Sequence, residues 1–261
     1  MSQALTDLAY GAHDRQALDL FLPERQDAPA RLVFFIHGGG WRGGDKSEYH
    51  ALAPALTRFG YAVAFPNHRL GPTDPHPAQI TDVASALGYL AANAGDLGLD
   101  LSGICLAGHS SGGHLASLLA LHPEYLPAQK LRREQIAGVV SICGVYDLRV
   151  YDPASGGNRS RPPFADYLAA IFGTDSATYA AASPFTHATA GAPPHFLAYA
   201  ERDYPGAPDQ AQAMGDQLAS LGSRARVLCV PGRDHVTILT GARSMLDPLA
   251  VNLALFLRSI R

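Results

Sequence analysis

The chain has 261 residues, of which 47% are hydrophobic, enough to bury a sizeable core in the single domain that we expect over 1–261. Its 20 Lys and Arg residues against 23 Asp and Glu residues leave a formal charge of −3 without a like-charge block, so no nucleic-acid partner is expected. No apolar run approaches the ~18 residues that cross a bilayer, and the N-terminal segment lacks an apolar core, which predicts a cytoplasmic protein with no membrane partner.

Six short apolar runs predict the strands of a sheet. Most of them lack alternating polar residues, so both faces of each strand are expected to be covered, as in a parallel sheet. The runs are 32–36, 61–65, 104–107, 136–143, 196–200 and 225–230.

Helical patterns fill the gaps between these runs. Apolar residues recur on one helical face over 80–90 and again over 214–221. Asp247 followed by Pro248 is typical of a capped helix start, whereas Pro54 is expected to delay or kink an earlier helix. Alternating strands and helices predict an α/β fold whose reactive groups lie at the carboxyl ends of the strands.

The segment 148–191 breaks this alternation. Gly156, Gly157, Pro162 and Pro163 indicate an irregular insertion, which we interpret as a lid or pocket wall rather than a second domain. Aromatic residues in such a segment more often pack than bind substrate. The candidate pocket residues are Tyr151, Phe164, Tyr167 and Phe172 of this segment, together with Trp41 of the glycine-rich stretch before it in the chain.

Three cysteines, Cys105, Cys143 and Cys229, lie in apolar runs and are not closely paired. They predict three buried reduced thiols rather than a disulfide or a metal site.

A glycine-rich turn follows the run at 104–107 and precedes a helical pattern. Ser110 lies there in the pattern Gly108-x-Ser-x-Gly112. This is the context of a nucleophile elbow, in which the tight turn leaves room only for glycine two residues to either side of the serine. A bystander serine in a glycine turn is the alternative, but the flanking strand and helix favour a nucleophile.

Acyl transfer also requires hydrogen-bond donors for the oxyanion, and a second glycine cluster offers them. The first apolar run ends in HGGGW at 37–41, where bare backbone amides can face a substrate. We predict that the amides of Gly39, Gly40 and Ser111 form the oxyanion hole. His37 is interpreted as a structural residue that holds this loop.

The same loop matches a competing fingerprint. Gly38, Gly40 and Gly43 fit G-x-G-x-x-G, which binds dinucleotides when a helix opens at the last glycine and an acid follows about 20 residues on. Here the loop continues through 44–47, and the next strand ends near Asn67. A dinucleotide-dependent oxidoreductase is therefore a distant alternative.

A general base and an orienting acid remain to be placed. In the order serine, acid, histidine, the base follows the last strand, where His235 is the only histidine. Asp203 follows the run at 196–200 and is favoured as the acid. Glu201 follows that run too closely, and Asp147 follows an earlier strand.

Four segments together resemble the α/β-hydrolase superfamily, and more narrowly its serine esterases related to the hormone-sensitive-lipase and arylformamidase groups. They are HGGGWRGGDKSEY at 37–49, NHRLGPTDPHPAQITD at 67–82, GHSSGGHLA at 108–116 and GRDH at 232–235. The resemblance implies an α/β-hydrolase fold with a mostly parallel central sheet, helices on both faces and a small insertion after the sixth strand. It also implies a triad of Ser110, Asp203 and His235, no cofactor, and a small carboxylic ester as the substrate.

Two of these segments depart from the patterns of these groups. Arylformamidases usually carry tyrosine where this chain has Gly40. The pair Asn67-His68 replaces a tyrosine that is common in the ester-hydrolysing relatives. An arylformamidase acting on N-formylkynurenine, with the same triad, therefore remains the alternative to an esterase.

Overall fold

The computed structural model describes residues 3–24, 28–152, 164–243 and 247–260. The strands are β1 (Gln3–Ala9), β2 (Ala17–Leu22), β3 (Ala30–Ile36), β4 (Tyr61–Pro66), β5 (Leu99–His109), β6 (Ile136–Ile142), β7 (His195–Arg202) and β8 (Ala225–Asp234). The α-helices are α1 (Ala53–Arg58), α2 (Ala78–Ala92), α3 (Ser111–Leu121), α4 (Tyr125–Ala128), α5 (Phe164–Phe172), α6 (Ser176–Ala181), α7 (Ala207–Ser220) and α8 (Pro248–Ser259). Short 3-10 helices lie at Lys46–Leu52, Arg133–Gln135, Leu148–Tyr151, Pro184–His187 and Thr237–Arg243.

The eight strands form one sheet in the order β1-β2-β4-β3-β5-β6-β7-β8. Strands β3 to β8 run parallel, while β1 and β2 add an antiparallel edge beside β4. All six predicted strands are confirmed. Strands β3 to β7 were recognisable because strands buried inside a parallel sheet consist of unbroken apolar runs, whereas β8 forms an edge and is mostly exposed or half-buried. Strands β1 and β2 were not predicted, because β1 is mostly exposed and β2 is interrupted by Asp19.

Helices cover both faces of the sheet. Alternate residues of β3 point to opposite sides, so Leu32 and Phe34 join one core cluster while Val33 and Phe35 join the other. Helices α2, α3 and α7 pack on the first side, and α1 and α8 pack on the second. The predicted fold class is therefore confirmed. None of the helices in the described part of the chain combines the length and the apolar character that a membrane span requires.

The segment between β6 and β7 differs from the prediction. An irregular insertion was expected, but its described part contains two α-helices, α5 and α6. Leu168, Ile171 and Phe172 are buried at helical spacing on α5, which explains why it is regular. The glycines and prolines that suggested irregularity fall within 153–163, outside the described residues.

The cysteines follow the prediction only in part. Cys105 and Cys143 are buried and free, whereas Cys229 is exposed, so the prediction of three buried thiols was wrong for Cys229. Cys229 lies on β8, which has only one neighbouring strand because it forms an edge of the sheet.

Candidate active site

Ser110 lies on the turn between β5 and α3, with backbone angles of φ +55° and ψ −122°. A positive φ is uncommon for a residue other than glycine and is typical of the strained nucleophile elbow. A Cβ at Gly108 would lie 2.3 Å from the carbonyl oxygen of Gly112, and a Cβ at Gly112 would lie 2.1 Å from that of Ile36. Close backbone approach therefore requires glycine at both positions, for the reason that the sequence indicated.

His235 lies between Ser110 and Asp203. It directly follows β8, and Asp203 directly follows the neighbouring parallel strand β7. The Nε2 atom of His235 is 2.9 Å from Ser110 Oγ, and its Nδ1 atom is 2.6 Å from Asp203 Oδ1. The side chain of Asp203 is fully buried and that of His235 is 13% exposed. The structure thus brings together the three residues expected to form a triad, while their catalytic role remains a prediction.

The carboxyl group of Asp203 is held in its charged form. Burial raises its pKa, but the ring of His235 and the thiol of Cys143 donate hydrogen bonds to it. The amides of Ala200 and Tyr204 donate two more, at 3.1 and 2.8 Å. Together these bonds outweigh burial and lower the pKa of Asp203 to about 2. A charged Asp203 favours the tautomer of His235 with a proton on Nδ1, which leaves Nε2 as a base.

The competing acids bind elsewhere. Glu201 is exposed and accepts a hydrogen bond from the amide of Gly232 at 2.8 Å. Asp147 caps the 3-10 helix at Leu148–Tyr151 and pairs with the guanidinium group of Arg149. Neither carboxylate has a hydrogen bond to His235 in the described part of the chain.

The predicted oxyanion donors lie on two adjoining turns. Gly39 and Gly40 have φ values of +121° and +60°, which favour glycine. Ser111 is the first residue of α3, so its amide has no acceptor within the helix. Among the described residues, none of these three amides donates a hydrogen bond, whereas the amide of Gly38 donates to Tyr49 Oη at 3.0 Å.

Residues 18–218 match the family model described as BD-FAE. The chain belongs to the BD-FAE family. It is 30% identical over 259 residues to a probable carboxylic ester hydrolase, LipM of Mycobacterium tuberculosis, an alignment that covers 94% of this chain and 59% of LipM. It is 27% identical over 237 residues to the kynurenine formamidase of Drosophila melanogaster, which covers 89% of this chain and 74% of that enzyme. The predicted resemblance to esterases and arylformamidases is confirmed.

A solved structure, that of an inhibited esterase B from Lactobacillus rhamnosis, superimposes with a TM-score of 0.80 and 26% sequence identity. The match covers 99% of this chain and 86% of that one. This BD-FAE chain therefore has the α/β-hydrolase fold, as the sequence motifs predicted. The chain spans 59% and 64% of the lengths of LipM and of the esterase LipC from the same organism.

Helix α5 of this BD-FAE chain lies against the glycine-rich loop. The hydroxyl group of Tyr167 donates to the carbonyl oxygen of Gly40, and the guanidinium group of Arg42 lies 5.0 Å from the centre of the Tyr167 ring. Trp41 and Phe172 are at most 4% exposed and pack edge to face, with ring centroids 5.1 Å apart. Trp41 and Phe172 are thus packing residues, whereas Tyr167 of α5 bonds to the backbone of the loop at Gly40.

Three residues that contact the site were not predicted from the sequence. The ring of Tyr204, which is 62% exposed, lies 4.2 Å from that of His235. The Nε2 atom of His109 lies 2.9 Å from the carbonyl oxygen of His235, and Tyr49 Oη lies 3.0 Å from His109 Nδ1. The sequence did offer a signal for two of them, because Tyr204 directly follows Asp203 and His109 directly precedes Ser110. Tyr49 is the last residue of the segment HGGGWRGGDKSEY at 37–49, and nothing in that segment indicated its role.

The side chains present do not favour a metal site or a dinucleotide site. Single donor atoms of Cys143, Asp203 and His235 lie within 4.8 Å of one another, a spacing that could hold a metal ion. Two of these donors already bond to each other, and burial raises the pKa of Cys143, which opposes the thiolate that a metal would bind. The dinucleotide fingerprint lacks its helix, because the glycine loop leads into a 3-10 helix that Asp45 caps.

Proposed function

We propose that this chain is a serine hydrolase that cleaves small carboxylic esters through Ser110, His235 and Asp203. The observation that carries the proposal is the position of His235, whose two ring nitrogens lie 2.9 Å from Ser110 Oγ and 2.6 Å from Asp203 Oδ1. The relatives named as carboxylic ester hydrolase and esterase support the ester as the substrate.

Acylation begins when Ser110 Oγ attacks the ester carbonyl carbon and His235 Nε2 takes the hydroxyl proton. The oxygen of the tetrahedral intermediate becomes negatively charged and accepts hydrogen bonds from the amides of Gly39, Gly40 and Ser111. Asp203 stabilises the imidazolium cation through Nδ1. The intermediate then collapses, and His235 returns the proton to the departing alkoxide, which leaves as an alcohol.

Deacylation repeats the same steps with water. His235 removes a proton from a water molecule as its oxygen attacks the acyl carbon bound to Ser110. The second tetrahedral intermediate uses the same amides, and its collapse returns the proton to Ser110 Oγ. The products are a free carboxylic acid and the unmodified enzyme.

We assign short acyl groups to the pocket. Helix α5 contacts Gly40 through Tyr167, so it forms a wall beside the proposed oxyanion donors. Each buried methylene contributes about 0.8 kcal/mol to binding. Activity on nitrophenyl esters should therefore rise over the first few carbons and fall once the acyl chain exceeds the pocket. Highest turnover on long-chain emulsions would contradict this assignment.

Covalent labelling tests the nucleophile. A fluorophosphonate should add once to the native chain, at Ser110, as read by intact mass and peptide mapping. Ser110→Ala should not be labelled and should lose several orders of magnitude in kcat. Ser111→Ala is the matched control, because Ser111 is the neighbouring serine and its buried hydroxyl has no partner among the described residues. Labelling of Ser110→Ala at the native rate would refute the proposal.

Formamide hydrolysis is the second candidate, favoured by the similarity to the Drosophila kynurenine formamidase. The decisive comparison is kcat/KM for nitrophenyl butyrate against N-formylkynurenine with the same preparation. We expect the ester to be cleaved faster, because an amine is a poorer leaving group and needs a proton from His235. A preference for N-formylkynurenine by orders of magnitude would make this chain an arylformamidase with the same triad.

A further inference from the structure

Two buried side chains connect the glycine loop to the loop that carries His235. The amide of Gly38 donates to Tyr49 Oη at 3.0 Å, and Tyr49 Oη lies 3.0 Å from His109 Nδ1. The Nε2 atom of His109 lies 2.9 Å from the carbonyl oxygen of His235. Tyr49 and His109 are each 8% exposed. These three hydrogen bonds form a continuous chain between two parts of the candidate site.

The donor and the acceptor of each of these three hydrogen bonds can be assigned from the two backbone groups at the ends of the series. The carbonyl of His235 can only accept, so Nε2 of His109 carries a proton. In the neutral ring Nδ1 is then an acceptor, so the hydroxyl of Tyr49 donates to it, and the oxygen of Tyr49 accepts from Gly38. Burial, and next the neighbouring His235, lower the pKa of His109 to about 4, which keeps the ring neutral.

We propose that Tyr49 and His109 are positioning residues that hold the oxyanion loop and the base loop at a fixed separation; this inference rests on the proposed hydrolase function. At one end of this series of hydrogen bonds, His109 bonds to the main chain of His235. The ring of His235 must contact Ser110 and Asp203 at the same time. At the other end, the amide of Gly38 donates to Tyr49 Oη, and Gly38 directly precedes Gly39, the first proposed oxyanion donor.

Close packing makes the connection stiff. A Cβ at Gly38 would lie 3.0 Å from Tyr49 Oη and 3.2 Å from His109 Nδ1, so the glycine backbone rests directly on both side chains. A shift of Tyr49 or His109 therefore moves the glycine loop relative to the loop of His235. Small displacements of positioned groups cost catalysis heavily, because the oxyanion donors and the base act only at short distances.

Removing the hydroxyl group of Tyr49 tests the proposal with little change of shape. Tyr49→Phe should lower kcat on a short nitrophenyl ester at least about tenfold and leave KM within about twofold, since geometry rather than binding is lost. The matched control is Tyr61→Phe, which removes another buried hydroxyl, one that bonds to the Leu257 carbonyl oxygen at 3.0 Å. Tyr61→Phe should keep the native kcat, and thermal unfolding should show a comparable loss of stability in both variants.

Substitution of His109 provides a second measurement. His109→Leu removes both ring nitrogens and should lower kcat by a similar factor, whereas His109→Gln keeps a donor and an acceptor and should recover most of the rate. Combining Tyr49→Phe with His109→Leu should cost little more than either change alone, because both break one chain of bonds.

Fluorophosphonate labelling separates this inference from the proposed function. If the native chain is not labelled at Ser110, the hydrolase proposal fails. If the native chain is labelled and cleaves esters, but Tyr49→Phe and His109→Leu retain native kcat, the hydrolase proposal stands and the positioning role is refuted.

Discussion

Glu201 lies near the end of β7 and Asp203 directly follows that strand, but of these two acids only Asp203 bonds to His235. The difference comes from a turn in which the amide of Asp203 donates to the carbonyl of Ala200 at 3.1 Å. This turn moves the side chain of Asp203 inward, where two amides and the ring of His235 bind its oxygens. Glu201 remains exposed and bonds to the amide of Gly232.

Exchanging each carboxylate for its amide separates the two acids. Asp203→Asn should lower kcat by about three to four orders of magnitude, because an amide favours the wrong tautomer of the imidazole. Glu201→Gln is the matched control and should stay within about twofold of the native rate. Steady-state hydrolysis of nitrophenyl butyrate measures both, and the reverse result would transfer the orienting role to Glu201.

The pKa of Asp203 also makes a prediction for the pH dependence of the rate. Because that pKa is about 2, the carboxylate stays charged above about pH 4. A loss of kcat/KM between pH 8 and pH 5 therefore does not arise from protonation of Asp203. The acid limb should lie at the same pH in the native chain and in Glu201→Gln, and a shifted limb in that variant would contradict the assignment.

Helix α5 and the glycine-rich loop form one packed unit. The hydroxyl of Tyr167 lies where a side chain at position 40 would be, since a Cβ at Gly40 would approach it to 1.9 Å. The same hydroxyl donates to the carbonyl oxygen of Gly40. The position at which arylformamidases usually carry tyrosine is therefore glycine here, with a tyrosine from another element in contact with it.

This contact predicts that a second substitution, at Tyr167, restores activity lost by a substitution at Gly40. Gly40→Ala should lower kcat/KM at least about tenfold, because the new methyl group displaces the oxyanion loop or α5. Adding Tyr167→Phe should recover part of the activity, since the nearest remaining ring carbon lies 3.1 Å from that Cβ. Failure of the second change to restore any activity would show that the contact does not hold the loop.

Gly60→Ala controls for backbone strain. Gly60 has a φ of +84°, and nothing lies within 4 Å of a Cβ built there. Both alanine variants should lose about 1–2 kcal/mol of stability from the left-handed backbone. Only Gly40→Ala should lose activity.

The molecule as a whole buries a set of histidines without charge. Burial lowers the pKa of each below the value of about 6.5 expected in an unfolded chain. For His68 and His195 it falls to about 4, and for His114 to about 3. The pKa of His37 is also lowered, and all four residues are at most 1% exposed.

These histidines predict that acid destabilises the fold. Between about pH 6.5 and pH 4 the unfolded chain binds protons that the folded chain does not, so the free energy of unfolding falls as the pH falls. From pH 7 to pH 5.5 the loss is about 1 kcal/mol per histidine, or about 4 kcal/mol for the four. Asp203 contributes only at lower pH, because its pKa is low in both states.

Urea unfolding at pH 7.0 and pH 5.5 measures this difference. His195→Leu should reduce it by about 1 kcal/mol relative to the native chain, because one buried titrating group is removed. Equal free energies of unfolding at the two pH values would contradict the burial of neutral histidines.

The local sequence pattern was sufficient to predict much of the architecture and two residues of the candidate site, Ser110 and His235. The central parallel strands were recognisable because strands buried on both faces are continuous apolar runs. Ser110 was recognisable because the elbow needs glycines at fixed short spacing, and His235 because it follows the last strand. The antiparallel strands β1 and β2 were not, since β1 is mostly exposed and β2 contains the charged residue Asp19. Asp19 is buried against partners outside β2, which include Lys46 Nζ at 2.7 Å and the amide of Asp7 at 2.8 Å.

The remaining contacts join residues that are far apart in the chain. Tyr49 and His109 are 60 positions apart, and His109 and His235 are 126 apart. Tyr167 and Gly40 are 127 apart. Such pairs form only where strand order and helix packing bring separate loops to the same edge of the sheet, and apolar periodicity encodes burial rather than partners. For the same reason Asp203 could be favoured over Glu201 from its position after β7, but its bond to His235 depends on the turn at Ala200 and on the pairing of β7 with β8.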